Sequence, residues 1–221
     1  MVFSSYKFIF IFLPIVLAGF LILRRAKKPI LTKLWLSIAS LVFYAVGQPD
    51  FLLLFVLSIA LNYAIMLLMS RSEKKILRAL LMVLASVWNV GLLVVFKYLG
   101  FFIGSVNAVF SSGIPVPQLI LPIGISFFTF QILAFTVSLY KGECSLPTPL
   151  DYTVFVTFFP QLIVGPVVRQ NELMPQIEGE SLHAPGKIDV QKGIFLFSVG
   201  CAKKIVLADP MIELASAFYG G

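Results

Sequence analysis

The chain has 221 residues, of which 59% are hydrophobic and 12% charged, and its formal net charge is +7. Soluble domains carry about twice that charged fraction, and soluble monomers rarely expose large apolar patches. The composition therefore argues against a soluble enzyme, a disordered chain and a disulfide scaffold. It predicts an all-α integral membrane protein. The basic residues lie between apolar runs, which is typical of membrane topology signals and argues against nucleic-acid binding.

Five apolar runs in the first 140 residues predict membrane-spanning helices, because each approaches the roughly 20 residues that a bilayer core requires. The runs cover residues 8–23, 34–49, 51–70, 79–96 and 119–140. Nine of the seventeen Lys and Arg residues form two clusters separated by two of these runs: Arg24, Arg25, Lys27, Lys28 and Lys33, then Arg71, Lys74, Lys75 and Arg78. Since basic residues favour the cytoplasmic side, we expect both clusters there and the N-terminus outside.

The fourth predicted span ends at Phe96, and the polar residues that follow it mark the opposite interface. Tyr is enriched at membrane interfaces and Lys can extend its charge to the headgroups, so Lys97 and Tyr98 fit that position. Lys141, after the fifth run, returns the chain to the cytoplasmic side.

The pattern becomes irregular from residue 141 onward. Segment 153–168 is apolar but contains Pro160, Gly165 and Pro166, which predicts a re-entrant or in-plane element, since broken backbone at membrane depth must be buried in protein or line a cavity. Residues 169–190 predict a polar loop. The apolar run 193–207 is interrupted by Lys203 and Lys204, which predicts a partial or tilted helix near an interface. We therefore expect one transmembrane domain, 1–221, with regular spans in 1–140 and an irregular region in 141–221.

Polar side chains inside a membrane are costly, so they indicate either function or hydrogen bonds between helices. Gln131 lies in an apolar segment, and both alternatives stay open for it: an interhelical hydrogen bond or a cavity-lining role. Gln161 and Arg169 flank the proline-containing break. Arg169 fits either a lipid-phosphate anchor or a guide for an anionic thioester donor.

The sequence offers no catalytic, metal or cofactor constellation of its own. The one histidine, His183, lies in a polar stretch and is expected to be an ordinary loop residue. Cys144 and Cys201 lack metal-ligand spacing. No catalytic triad order, zinc-protease motif or phosphate-binding glycine loop occurs. We therefore assign no catalytic residue, no metal and no resident cofactor.

Three motifs occur in order along the chain: LPIGISFFTFQ at 121–131, SLYKGE at 138–143 and FFPQLIVGPVVR at 158–169. On these motifs the chain resembles the membrane-bound O-acyltransferase family, in the branch of alginate and other polysaccharide O-acetyltransferases. The resemblance implies a ring-like helix bundle around a funnel, with in-plane and re-entrant pieces. It also implies acyl transfer from a cytoplasmic thioester, such as acetyl coenzyme A or an acyl carrier protein, to hydroxyls of an extracytoplasmic polysaccharide.

The same resemblance places the family's catalytic histidine downstream of the Lys203–Lys204 segment, so we expect the chain to be the N-terminal part of a longer enzyme and inactive alone. It implies a cell inner membrane location and, besides the bilayer and the donor, a polysaccharide acceptor or a periplasmic acetylation partner. The residues expected to shape the donor funnel are Gln131, Pro160, Gln161, Gly165, Pro166 and Arg169. The alternatives are a non-catalytic membrane scaffold that needs a partner chain, and a carrier that moves substrate without chemistry.

Overall fold

The computed structural model describes residues 5–162, 170–177 and 190–219. Within these ranges the elements are helices, with no strand. Four of them are long and apolar enough to cross a membrane: α1 (Phe8–Arg25), α2 (Pro29–Gly47), α3 (Pro49–Arg71) and α4 (Lys75–Phe110). A fifth apolar helix, α5 (Ile125–Lys141), is slightly shorter. The predicted all-α membrane bundle is confirmed.

Hydrogen bonds at the two ends of the bundle establish how the helices alternate. At one end, Nη2 of Arg78 near the start of α4 donates to the carbonyl oxygen of Tyr140 at the end of α5, over 3.0 Å. At the other end, the Gln48 side chain after α2 donates to the carbonyl oxygen of Leu121 (3.1 Å) and accepts from the N–H of Ile123 (2.6 Å), just before α5. Both basic clusters therefore lie at the same end of the bundle, as their spacing predicts.

Helix α4 extends beyond the predicted span, which covers residues 79–96. After a π-helical turn at Val94–Tyr98, the helix continues through Leu99–Phe110. One lysine does not stop a helix, because its side chain can extend along the surface while the backbone continues. A helix of 36 residues is about 54 Å long, whereas a bilayer core is about 30 Å thick. Its last three turns therefore extend past a single span.

Three short helices and one long helix follow α5 in the described residues. They are α6 (Pro149–Thr157), α7 (Phe159–Leu162), α8 (Gln170–Ile177) and a continuous α9 made of Val190–Ala202, Lys203–Ala208 and Asp209–Tyr219. The predicted polar loop at 169–190 is thus wrong where α8 forms; Nε2 of Gln176 donates there to the carbonyl oxygen of Glu172 over 2.8 Å. The two lysines that interrupt the apolar run 193–207 begin the π-helical stretch of α9. Lys204 pairs with Asp209 within the helix, at 2.9 Å.

Two asparagines in the interior of the bundle are hydrogen-bonded between helices. Asn62 on α3 and Asn89 on α4 are fully buried. Nδ2 of Asn89 donates to Oδ1 of Asn62 over 2.7 Å, and each amide also donates to a carbonyl one turn earlier in its own helix. Such bonds satisfy groups that hydrocarbon could not, and they join α3 to α4.

Helices α1 and α2 approach closely because a glycine faces a tryptophan. Nε1 of Trp35 donates to the carbonyl oxygen of Val16 over 3.0 Å, which lays the indole across Gly19. A Cβ atom at Gly19 would overlap that ring. Small residues permit such close contact between membrane helices.

We expect Gly19→Ala to destabilise the protein by about 1–3 kcal/mol, because the indole must shift and α1 must move away from α2. Gly91→Ala on α4 is the matched control, since nothing lies within 4 Å of its added Cβ; its higher helix propensity predicts no loss, or a gain of up to about 1 kcal/mol. Thermal unfolding of the full-length protein in detergent measures both. Equal effects of the two substitutions would contradict the packing described for α1 and α2.

Candidate functional site

The backbone breaks inside the bundle between α6 and α7. Phe158 has φ −48° and ψ 103°, outside the helical region, and Pro160 has no N–H with which to continue the helical hydrogen-bond ladder. The residues on either side, Phe155 and Phe159, are 2% and 5% exposed. In a membrane each unsatisfied backbone group costs several kcal/mol, so the groups freed by this break need partners from elsewhere in the fold.

Side chains from two spanning helices supply those partners. Nε2 of Gln131 on α5 donates to the carbonyl oxygen of Phe155 over 3.0 Å. The N–H of Phe159 donates to Oγ of Ser40 on α2 over 3.2 Å. Both polar side chains are buried. Of the two roles that the sequence leaves open for Gln131, the hydrogen bond between helices is the one that the structure shows.

A buried ion pair joins the start of α6 to α2. Nζ of Lys33 contacts Oδ1 of Asp151, and the two side chains are 10% and 5% exposed. The second carboxylate oxygen accepts a hydrogen bond from Oγ1 of Thr148 over 2.7 Å, and that hydroxyl accepts in turn from the N–H of Asp151 over 3.2 Å. Thr148 is therefore the N-cap of α6, with a carboxylate in the first helical turn, where the helix dipole favours negative charge.

A third spanning helix holds the segment that leads into α6. The hydroxyl of Tyr63 on α3 donates to the carbonyl oxygen of Pro147 over 3.1 Å. The Tyr63 ring also packs against that of Tyr152 on α6, with centroids 5.5 Å apart. Helix α6 is thus tied to α2, α3 and α5 through side chains that the membrane-spanning helices position.

The aromatic ring of Phe159, just after the break, packs against α1 and α2. Phe159 contacts Phe8, Phe12 and Phe43 with ring centroids 5.3–6.1 Å apart. Beside it, an apolar groove of about 320 Å³ opens between α1, α2 and the helices from α6 to α8. Its walls include Leu17, Phe20, Leu36, Phe158, Pro160 and Leu173.

The chemistry that these groups offer is positioning rather than proton transfer. The groove is suited to hydrocarbon. Gln131 and Ser40 are engaged with backbone groups, and Lys33 and Thr148 with Asp151. Among the described residues, no three His, Cys, Asp or Glu side chains are grouped so that they could hold a metal ion.

Comparison with known proteins finds relatives that match almost the whole chain. It is 37% identical to the peptidoglycan O-acetyltransferase of Helicobacter pylori, over 97% of this chain and 46% of that protein. It is 35% identical to the probable alginate O-acetylase AlgI of Pseudomonas aeruginosa, over 97% of the chain and 41% of that protein. The corresponding protein of Azotobacter vinelandii is 36% identical, over 97% and 43%. No family model and no solved structure matches the chain.

Over 97% of its length the chain matches proteins of the membrane-bound O-acyltransferase type, which confirms the resemblance carried by its motifs. It spans less than half the length of the curated relatives that it matches. The motifs on which the resemblance rests fall on α5, on the turn after it and on the break between α6 and α7.

The structure brings some of the predicted membrane-bound O-acyltransferase site residues to the same break. Gln131 satisfies the carbonyl before it, Pro160 lines the groove after it, and Gln161 is half-buried on α7. Gly165, Pro166 and Arg169, together with His183, lie outside the described residues. The predicted donor funnel itself therefore stays a prediction.

Sequence reasoning missed the groups that hold the site. It treats Lys33 as part of a topological cluster, but the structure buries it against Asp151. The spacing Thr-x-x-Asp at 148–151, a helix-start pattern, could have indicated the capped helix. The partner of Gln48 could not have been found this way, because its contacts with Leu121 and Ile123 lie more than 70 residues away along the chain.

Because removing one partner leaves an uncompensated buried charge, we expect Lys33→Met to destabilise the full-length protein by about 3–5 kcal/mol. The double variant Lys33→Met/Asp151→Asn should recover most of that loss. Lys141→Met is the matched control: Lys141 pairs with Glu143 at 3.7 Å, and the side chains are 59% and 52% exposed. An exposed pair contributes less than about 1 kcal/mol. Thermal unfolding in detergent reports all three. A double variant no more stable than the single one would contradict the pairing.

Proposed function

We propose that the full-length protein containing this chain is an O-acetyltransferase that moves an acetyl group from a cytoplasmic thioester donor to hydroxyls of an extracytoplasmic polysaccharide. The observation that carries the proposal is identity of 35–37% over 97% of the chain with proteins named peptidoglycan O-acetyltransferase and probable alginate O-acetylase. Both names describe transfer of an acetyl group to a sugar polymer, and the polymer differs between them.

The geometry supports a role for this part of the protein in shaping the path of the donor. A non-helical stretch in the interior is tolerated where it is buried in protein or lines a cavity. The α6–α7 break has an apolar groove on one side and fixed polar contacts on the other. Under the proposal, Pro160, Gln161 and the following Gly165, Pro166 and Arg169 form one wall of the donor entrance, and the acid–base chemistry comes from outside this chain.

The proposed orientation places the N-terminus outside and the two basic clusters in the cytoplasm, in the cell inner membrane. The support is that Arg78 and the end of α5 meet at one end of the bundle, with both clusters there, and that cytoplasmic loops are rich in Lys and Arg. The donor would then approach from the end where Lys33 and Asp151 hold α6. An acetyl coenzyme A or acyl carrier protein donor is anionic, which agrees with the two clusters of Lys and Arg residues at that end of the bundle.

The test is acetyl transfer by the full-length protein in cells that lack their own polysaccharide O-acetyltransferase. Ester-linked acetate released by mild alkali from the cell-envelope polysaccharide should rise above the empty-vector level. Arg169→Ala should lower it about 10- to 150-fold, the effect of losing one charge-assisted hydrogen bond worth about 1.5–3 kcal/mol. Arg169→Lys should retain more activity, and Gln131→Leu should matter less than Arg169→Ala.

Two outcomes would overturn different parts of this proposal. No acetate above the vector level from a correctly inserted wild-type protein would contradict the O-acetyltransferase assignment. Full acetylation by Arg169→Ala at normal expression would contradict only the donor-guiding role and would leave Arg169 as a lipid anchor.

A further inference from the structure

Helix α4 continues past the point where its charges indicate that the membrane core ends. Arg78 and Lys97 are 19 residues apart on one helix, which is about 28 Å and matches a hydrocarbon core of about 30 Å. The 12 residues of Leu99–Phe110 come after this span. Even at a tilt of 40°, the upper end of the usual range, the 36-residue helix would rise about 41 Å and overshoot the core.

The extension and the loop that follows it form one unit, which we call the distal hairpin (residues 99–121). Asn107 holds the loop against the helix: its Nδ2 donates to the carbonyl oxygen of Ile114 over 2.7 Å, and its Oδ1 accepts from the N–H of Ile114 over 2.9 Å. Val116 lies against Gly100. The hairpin is therefore a folded element and not a loose tail.

The surface of the distal hairpin is apolar although nothing in the described chain covers it. No residue of Leu99–Phe110 is buried. Phe101, Val109 and Phe110 are 70–74% exposed, and Ile120 in the loop is 67% exposed. No charged residue occurs between Tyr98 and Tyr140. A helix that is apolar on every side is buried in protein or in lipid, and a patch of this kind is rare in contact with water.

The exposed apolar surface of the hairpin continues that of the spanning part of α4. Exposed residues recur at intervals of three to five positions along the whole helix: Leu80, Val83, Val87, Val90, Val94, Tyr98, Phe101, Val106 and Val109. The first five face outward from the described helices within the span. The same stripe therefore passes without interruption from the hydrocarbon level onto the hairpin.

The junction between span and hairpin has the features of a membrane interface. The helix is π-helical at Val94–Tyr98, and Tyr98 is distorted from ideal α-helical angles, with φ −113° and ψ −11°. Nζ of Lys97 lies 5.4 Å from the centroid of the Tyr98 ring and 3.5 Å from Oγ of Ser126 at the start of α5. A local departure from the α-helix is where a long helix changes direction.

We propose that the distal hairpin is inserted in the leaflet at the Lys97 end of the bundle, with its phenylalanines and aliphatic side chains at the boundary between headgroups and acyl chains. Helix α4 bends at Tyr98, and the hairpin lies in the membrane plane as an interfacial anchor. It leads directly into Leu121 and Ile123, which Gln48 holds. The anchor thus fixes the height at which α5 enters the membrane.

The experiment measures the depth of nitroxide labels on the full-length protein in phosphatidylethanolamine–phosphatidylglycerol vesicles. The parent carries Cys144→Ala and Cys201→Ala, and the test sites are Phe101→Cys, Phe110→Cys and Ile120→Cys. Leu84→Cys is the lipid-facing control on α4, and Glu73→Cys, in the exposed turn before α4, is the aqueous control. Collisions with oxygen report lipid, and collisions with a nickel chelate report water.

At the three hairpin sites we expect oxygen accessibility to exceed nickel accessibility, as at Leu84→Cys and opposite to Glu73→Cys. Nickel accessibility equal to that of Glu73→Cys would show a hairpin in water and overturn the proposal. Low accessibility to both reagents, with immobilised spectra, would show a protein cover and would overturn it as well. The readout is depth in the bilayer, so the result does not depend on acetyl transfer.

Discussion

The requirement that backbone amides and carbonyls be hydrogen-bonded inside a bilayer governs the architecture around the α6–α7 break. A regular helix meets this requirement internally, whereas a helix broken at Phe158 and Pro160 does not. The fold meets it with Gln131 at the carbonyl of Phe155 and Ser40 at the amide of Phe159. These two side chains come from α5 and α2, so the break can exist only where those spanning helices already flank it.

The same constraint explains why charged residues occur beside the break. Asp151 has its carboxylate in the interior, where a lone charge is very costly, and Lys33 and Thr148 between them satisfy its two oxygens. The result is a short helix held by α2 at both ends and by α3 and α5 between them. A surface fixed in this way can present a groove of constant shape to a thioester-bearing donor, which is the role proposed for this part of the protein. The hydrophobic exterior of the bundle favours insertion into the membrane and contributes little to the geometry of the break.

Composition, charge clusters and apolar runs were sufficient to predict the helical membrane bundle, its alternation and the presence of an irregular element near Pro160. These features depend on local properties: segment hydropathy, the missing N–H of proline and the side on which Lys and Arg collect. The contacts that fix the site depend on pairs distant in sequence, such as Lys33 with Asp151 and Ser40 with Phe159. A single sequence does not display such pairs, and Lys33 looks there like any other topological lysine. The extension of α4 was missed for a different reason. A lysine at a membrane interface indicates where the membrane core ends, but the helix can continue past it.

Hydrogen exchange across residues 149–162 tests most directly whether side chains of the spanning helices complete the backbone at the break. In the full-length protein in lipid nanodiscs, we expect slow exchange for the amides of this segment, comparable to the interior of α2 and far slower than the turn around Glu73. We also expect Ser40→Ala with Gln131→Leu to accelerate exchange at 155–162 while α1 stays protected. Exchange in the unsubstituted protein as fast as at Glu73, or no response to the double substitution, would show that these side chains do not complete the backbone at the break.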